Sequence, residues 1–356
     1  MPRRREIRRW WALIATGAWV LIGAVPAPVA QEIEQTQSIG FDSTYQVGDQ
    51  QGFGVSDGAV APISYEVREP ENPSAPGSRS LGTTWGGAEF KAMYDHQWIV
   101  PALRWTPHRL FADNNITIMS RTGISPISAT QALRVTAMPV ALLKVYAEAS
   151  IGTGWNLQVI DGLGEVDPDT GEIDDRSFPG VVTRGALGGT FQFDMAAVFP
   201  GEWNHVVIAL TPQFTYSALS SVDGGTAWSF ENDEGDNYNG WSRQFTTILG
   251  HQPPYPSVST VGLLYESEQL FGTAVDQAEE TASANFEAGF RTDRLGLLID
   301  LRLGSSRRHA VTVVPQIQRN RLVSEATVFK AGLQRRETVG SYWDFYRVVL
   351  QYRLRV

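Results

Sequence analysis

The residues that most often carry chemistry are sparse in this chain. Its five histidines, His96, His108, His205, His251 and His309, stand at no metal-ligand spacing from one another, and no HExxH pair occurs. There is no cysteine, which excludes thiol nucleophiles, disulfides and thiolate metal sites. The nucleophile elbow GxSxG, the phosphate-binding P-loop and the dinucleotide fingerprint are all absent. A serine–histidine hydrolase site could be drawn only from His205 and Ser217, and nothing around them marks that pair. Two acidic stretches, Asp167 to Glu172 and Glu231 to Asn237, hold hard oxygen donors of the kind Ca2+ takes, about six to eight at a time. Neither completes a calcium loop, since Asn237 stands where the turn glycine belongs. Both read first as solvated loops, with Ca2+ as the minor reading. The expectation is a protein with no cofactor, no metal centre and no catalytic site.

A different set of charged residues recurs at every second position between apolar ones. Glu89 and Lys91, Lys144 and Glu148, Asp194, Glu287 and Arg291, Asp300 and Arg302, and Arg347, Arg353 and Arg355 all follow this rule. Side chains alternate across a strand, so these residues share a polar face opposite an apolar one. Their signs are mixed. Rings of one sign would select ions, whereas mixed charges facing an enclosed space pair across it. The run Arg347, Arg353 and Arg355 is locally cationic, which adds a weak preference for anions.

The strands that would carry this pattern are long. At the C-terminus Tyr342, Tyr346, Val348, Leu350, Tyr352, Leu354 and Val356 alternate with polar residues over some fifteen positions. A globular strand is usually about five or six residues, but a tilted strand crossing a bilayer needs about 9–11. The same alternation runs through Ala88–Tyr94, Leu143–Ile151, Leu187–Met195 and Val206–Tyr216. It also runs through Ala282–Phe290 and Leu295–Leu303, joined by a polar Thr292-Asp293-Arg294 that predicts a tight hairpin. Connections are unequal. Short turns contrast with the acidic stretches 160–180 and 222–240. Aromatic residues gather near the predicted strand ends, and Trp155, Trp203, Trp241, Tyr342 and Trp343 are the expected girdle at a membrane–water boundary.

The first thirty residues have another character. Five arginines precede an apolar stretch from Trp10 to Val25 and a small, proline-containing end at Ala30, the layout of a secretory signal peptide. Without residues 1–30 the net charge falls from −9 to −13, so a nucleic-acid partner is not expected. Residues 31–82 are rich in Gln, Ser, Gly and Pro and predict a flexible N-terminal extension, within which Ile39 to Val47 could add a strand or a short plug. Residues 83–356 are left for the folded domain. At roughly 20–25 residues per strand and connection they hold about 12 strands, within about 10 to 14.

Taken together, the leader, the lack of cysteine, the aromatic girdle and the closing strand Tyr342–Val356 resemble the Gram-negative outer-membrane β-barrel proteins. The resemblance covers about residues 85–356 and rests on pattern; Val356 departs from the usual terminal Phe or Trp. It implies an all-β, antiparallel transmembrane β-barrel in the outer membrane, with lipid around it. It further implies a porin-like or structural role with small polar solutes, and a barrel-assembly machinery that recognises the C-terminal strand. One other architecture fits the alternation, a soluble exported β-sandwich that binds carbohydrate. Its local support is Gly201-Glu202-Trp203-Asn204-His205-Val206, similar to a strand start in lectin-like sandwiches.

Overall fold

The computed structural model describes residues 33–47, 85–104, 110–157, 162–167, 173, 179–231, 236–282, 286–304, 308–323 and 337–356. The predicted leader, residues 1–30, lies outside the described residues. Twelve strands form a closed antiparallel barrel. In chain order the first six are β1 (Glu34–Val47), β2 (Trp85–Pro101), β3 (Asn115–Ser125), β4 (Ser128–Val140), β5 (Leu143–Gly154) and, after a short β6 (Leu163–Glu165), β7 (Val182–Asp194). The rest are β8 (Val206–Leu219), then β10 (Gly240–His251), β11 (Val258–Phe271), β12 (Thr292–Leu303), β13 (His309–Val323) and β14 (Thr338–Arg355). Two pieces stand apart from the wall. β6 pairs with β9 (Trp228–Phe230) as a small separate sheet, and helix α1 (Thr273–Thr281) follows β11.

Each wall strand pairs with its sequence neighbour, and β1 closes the ring against β14, from Ser38 opposite Arg355 to Gln46 opposite Arg347. Closure leaves no unpaired strand edge. It also removes the sandwich reading, because the apolar rows face outward and, among the described residues, no second sheet lies against them.

Two expectations are corrected. The strand that Ile39 to Val47 could add does form, but it is longer, Glu34–Val47, and belongs to the wall rather than to an extension, so the folded domain starts earlier than residue 83. Its Gln-, Ser- and Thr-rich composition hides the alternation of Ile39 and Phe41, both outward and 39% exposed. Conversely, the described residues of Ala282–Phe290, 282 and 286–290, form no strand, and Thr292-Asp293-Arg294 is no turn but the beginning of β12. The apolar residues of that segment serve a packed cap: Phe286 and Ala288 are buried with Ala278 of α1, Tyr238, Ala227 and Val166. Period two there reflected burial in a loop, which alternation alone does not distinguish from a strand.

The two ends of the barrel differ. At the end holding Glu34 and Arg355 the connections are 102–114, 141–142, 195–205, 252–257 and 304–308. At the other end they are 48–84, 126–127, 155–181, 220–239, 272–291 and 324–337. We call these the terminal end and the loop end. Long connections on one side and mostly short ones on the other are the asymmetry of outer-membrane barrels, whose long loops face outward.

Candidate functional site

Which face of the wall is concave follows from contacts that skip a strand. The Tyr146 hydroxyl of β5 donates to Gln213 Oε1 of β8 at 2.6 Å, passing over β7 at Gly188. A Cβ there would lie 2.5 Å from the Tyr146 ring, so glycine is what lets the phenol cross. Gln316 Nε2 of β13 likewise donates to Glu266 Oε2 of β11 at 2.7 Å. Only side chains inside a curved wall reach a strand two places away, so these residues and their alternation partners line the lumen.

On that face the charges are largely paired. Arg121 grips Asp95 with two bonds, Nε to Oδ1 at 2.7 Å and Nη2 to Oδ2 at 2.9 Å. Arg134 Nε meets Glu148 Oε2 at 2.6 Å and its guanidinium lies 4.7 Å over the Tyr146 ring. Arg347 donates to Gln316 Oε1 at 2.8 Å and stacks on Tyr346, against whose ring Arg294 also rests. Asp300 accepts from Thr312 Oγ1 at 2.9 Å and lies 3.4 Å from Arg302 Nη2. The lumen is thus a polar, cross-linked interior of the kind in which charge-assisted bonds are worth most.

The convex face is the reverse. Leu187 is 57% exposed and Leu263 60%. Phe90, Leu133, Ile151, Phe214, Leu249, Leu297 and Leu350 are exposed beside them around the ring. A contiguous apolar band of this extent is not kept in water by a soluble monomer.

At the loop end two connections fold over the mouth. Trp228, Phe230 and Leu163 of the small sheet are buried against Val182 and Leu219 of the wall rim. Glu231, which follows β9, accepts from Lys91 Nζ of β2 at 2.6 Å and from Ser128 Oγ at 2.5 Å. Arg321 Nη2 meets Asp236 Oδ2 at 2.7 Å. The acidic loop is therefore held to the barrel by cations of its own wall. Among the described residues no three His, Cys, Asp or Glu stand together as a metal site; much of 167–172 and 231–237 lies outside the described residues.

At the terminal end a recess of about 530 Å3 opens, lined by Arg302, Arg308, Arg353 and Arg355 with Asp95, Gln97 and Ser38.

Of the residues expected to face the lumen, Lys91, Lys144, Glu148, Asp300, Arg302, Arg347, Arg353 and Arg355 lie on the concave face by register. The side chain of Glu89 falls outside the described residues. Asp194 keeps the inward parity of Gly188 at the terminal end of β7, where its carboxylate caps the 195–197 turn through Ala196 N and binds His205 Nδ1 at 2.7 Å, fastening the β7–β8 connection. Glu287 is exposed in the cap loop, and Arg291 pairs with Asp293 at 2.9 Å on the face shared by Leu295 and Leu297. Neither lines the lumen, because the strand expected to carry them does not form. Arg121, Arg134, Arg294 and Arg308 were missed. Alternation in β3, with Ile116 and Ile118 against Thr117, Met119 and Arg121, was the signal available for the first.

Of the expected girdle, Trp155 and Trp343 are outward and exposed. Trp241 is outward, packed edge-on to Tyr216 at 5.5 Å. Trp203 sits at the terminal end, stacked on His251 with Tyr255 edge-on at 5.7 Å. Tyr342 is corrected. The register slips at the Gln316/Ile317 step, leaving Tyr346 as an extra residue in β14. This bulge reverses the faces beyond it, so Tyr342 shares the inner face with Asn320 and Gln318 while Tyr346 is buried in the lumen. The serine–histidine pair also fails. Ser217 and His205 sit at opposite ends of β8, roughly 40 Å apart at about 3.3 Å per residue.

No family model matches the sequence, and no curated protein matches it. Among solved structures the chain is similar to a BenF-like porin from Pseudomonas fluorescens Pf-5, at 10% identity over 91% of this chain and 98% of that one, with a TM-score of 0.28. It is similar also to OccK3 (OpdO) of Pseudomonas aeruginosa, at 12% identity over 91% and 96% with a TM-score of 0.29. A third is OprD of Pseudomonas aeruginosa, at 8% identity over 94% and 97% with a TM-score of 0.29. The fold itself rests on this chain's own strand pairing.

Proposed function

We propose that this chain is an outer-membrane channel for small polar solutes. The observation that carries it is the opposition of the two faces of one closed wall: an exposed apolar band outside and a hydrated, charge-lined interior within. The band takes lipid as its partner, and β14, the strand that meets β1, is the element for an assembly machinery to engage. Twelve strands enclose more room than the eight that side chains just fill, and recesses open into the interior from both ends.

The experiment is reconstitution of detergent-purified protein into planar bilayers. Stepwise conductance that rises with salt is expected. Steady silence from protein that shows heat-modifiable migration on a denaturing gel would sink the channel reading and leave a closed structural barrel. Recovery of the protein from the periplasm as a detergent-free monomer would sink the membrane reading as well.

A further inference from the structure

We propose that the recess at the terminal mouth binds small polyanions, molecules with two or more adjacent phosphate or carboxylate groups. The inference rests on the channel reading for its biological sense, since it names the class of solute, but the site is measurable without conduction. Five guanidiniums in and beside the recess, those of Arg121, Arg302, Arg308, Arg353 and Arg355, face three carboxylates, those of Asp42, Asp95 and Asp300. Two of the carboxylates are already paired. Arg121 occupies both oxygens of Asp95. Asp300 is held by Thr312 and Arg302. Asp42 lies deeper, beyond the lining of the recess, where Gln351 Nε2 donates to its Oδ2 at 3.5 Å. Arg308 and Arg355 have no carboxylate within ion-pair distance among the described residues.

Geometry makes this surplus useful. The Arg355 N–H donates to Arg308 O at 3.0 Å, which keeps the two side chains on neighbouring strands at the same level of the mouth. A guanidinium is a planar fork matched to two oxygens of phosphate or carboxylate, and it stays charged at any physiological pH. A concave wall with an excess of one sign of charge focuses its field into the opening and raises the local concentration of counter-ions.

The test is calorimetric titration of the full-length, detergent-purified barrel with inorganic pyrophosphate and, separately, with citrate at low salt. Saturable binding of either is expected. It should weaken by about tenfold in Arg308→Gln/Arg355→Gln, which removes two charge-assisted contacts, and stay within about twofold in the charge-matched pair Arg243→Gln/Arg319→Gln on the convex face. Folding of each variant is checked by heat-modifiable migration, and Arg355→Lys, which keeps the charge, should fall between the two. No saturable binding of either anion, or equal weakening by the convex-face pair, overturns the proposal. Binding with silent bilayers removes the channel and keeps the site; conductance without binding does the opposite.

Discussion

At the scale of single residues the two faces of one strand should answer differently to the same change. Leu297 and Leu298 are neighbours on β12, the first outward and 42% exposed, the second on the lumen side opposite Gly262. Leu297→Arg puts a charge among acyl chains and should cost about 2–4 kcal/mol near the midplane. Leu298→Arg reaches the aqueous interior and should cost a fraction of that. Denaturant unfolding of both variants in the same vesicles checks the difference, and equal losses would contradict the assignment of faces. The Asp95–Arg121 pair allows a second measurement. Asp95→Asn strands the guanidinium of Arg121, with a loss of about 1–3 kcal/mol. Adding Arg121→Gln removes the stranded charge, so the double variant should recover part of that loss.

At the scale of elements, closure depends on β1, of which the sequence marked only the second half. Deleting Glu34–Val47 removes the partner of both β14 and β2 and exposes two edges where none existed. The expected outcome is loss of heat-modifiable migration and aggregation in detergent. The bulge in β14 offers a finer probe. Removing Tyr346 alone restores one-to-one pairing with β13, leaves Tyr342 inward and Trp343 outward, and takes away the ring on which Arg294 and Arg347 rest. A barrel of unchanged stability would show that the bulge is ornamental. The loop held by Glu231 is tested in the same way: Lys91→Met breaks its 2.6 Å contact with Glu231. If that loop restricts the mouth, single-channel conductance rises, by about twofold or more.

On the scale of the whole molecule the barrel is polarised along its axis as well as across its wall. The loop end carries the packed cap, with Trp228 and Phe286 almost fully buried and acidic side chains tied down by Lys91 and Arg321. The terminal end carries arginines in an open recess. A pore with its uncompensated cations at one mouth should rectify. Under symmetric salt its current–voltage curve should be asymmetric at low ionic strength and straighten toward 1 M, where the Debye length is about 3 Å. A symmetric curve at low salt would mean that those cations do not face the conduction path.

Period-two patterning, written into each strand, determined by itself that this chain forms long antiparallel strands with one apolar face, and Lys144, Glu148, Arg347 and Arg353 could be placed by it because alternation is a local property of the backbone. Tertiary structure alone decided where that rule breaks. Phe286 was taken by a loop core and Tyr342 by a one-residue slip, and in both the contact that mattered came from another segment. It alone also decided that the polar stretch around Ile39 and Phe41 closes the ring. A strand pairs through its main chain, so its membership in a wall is set by the edges available to it as much as by its own side chains.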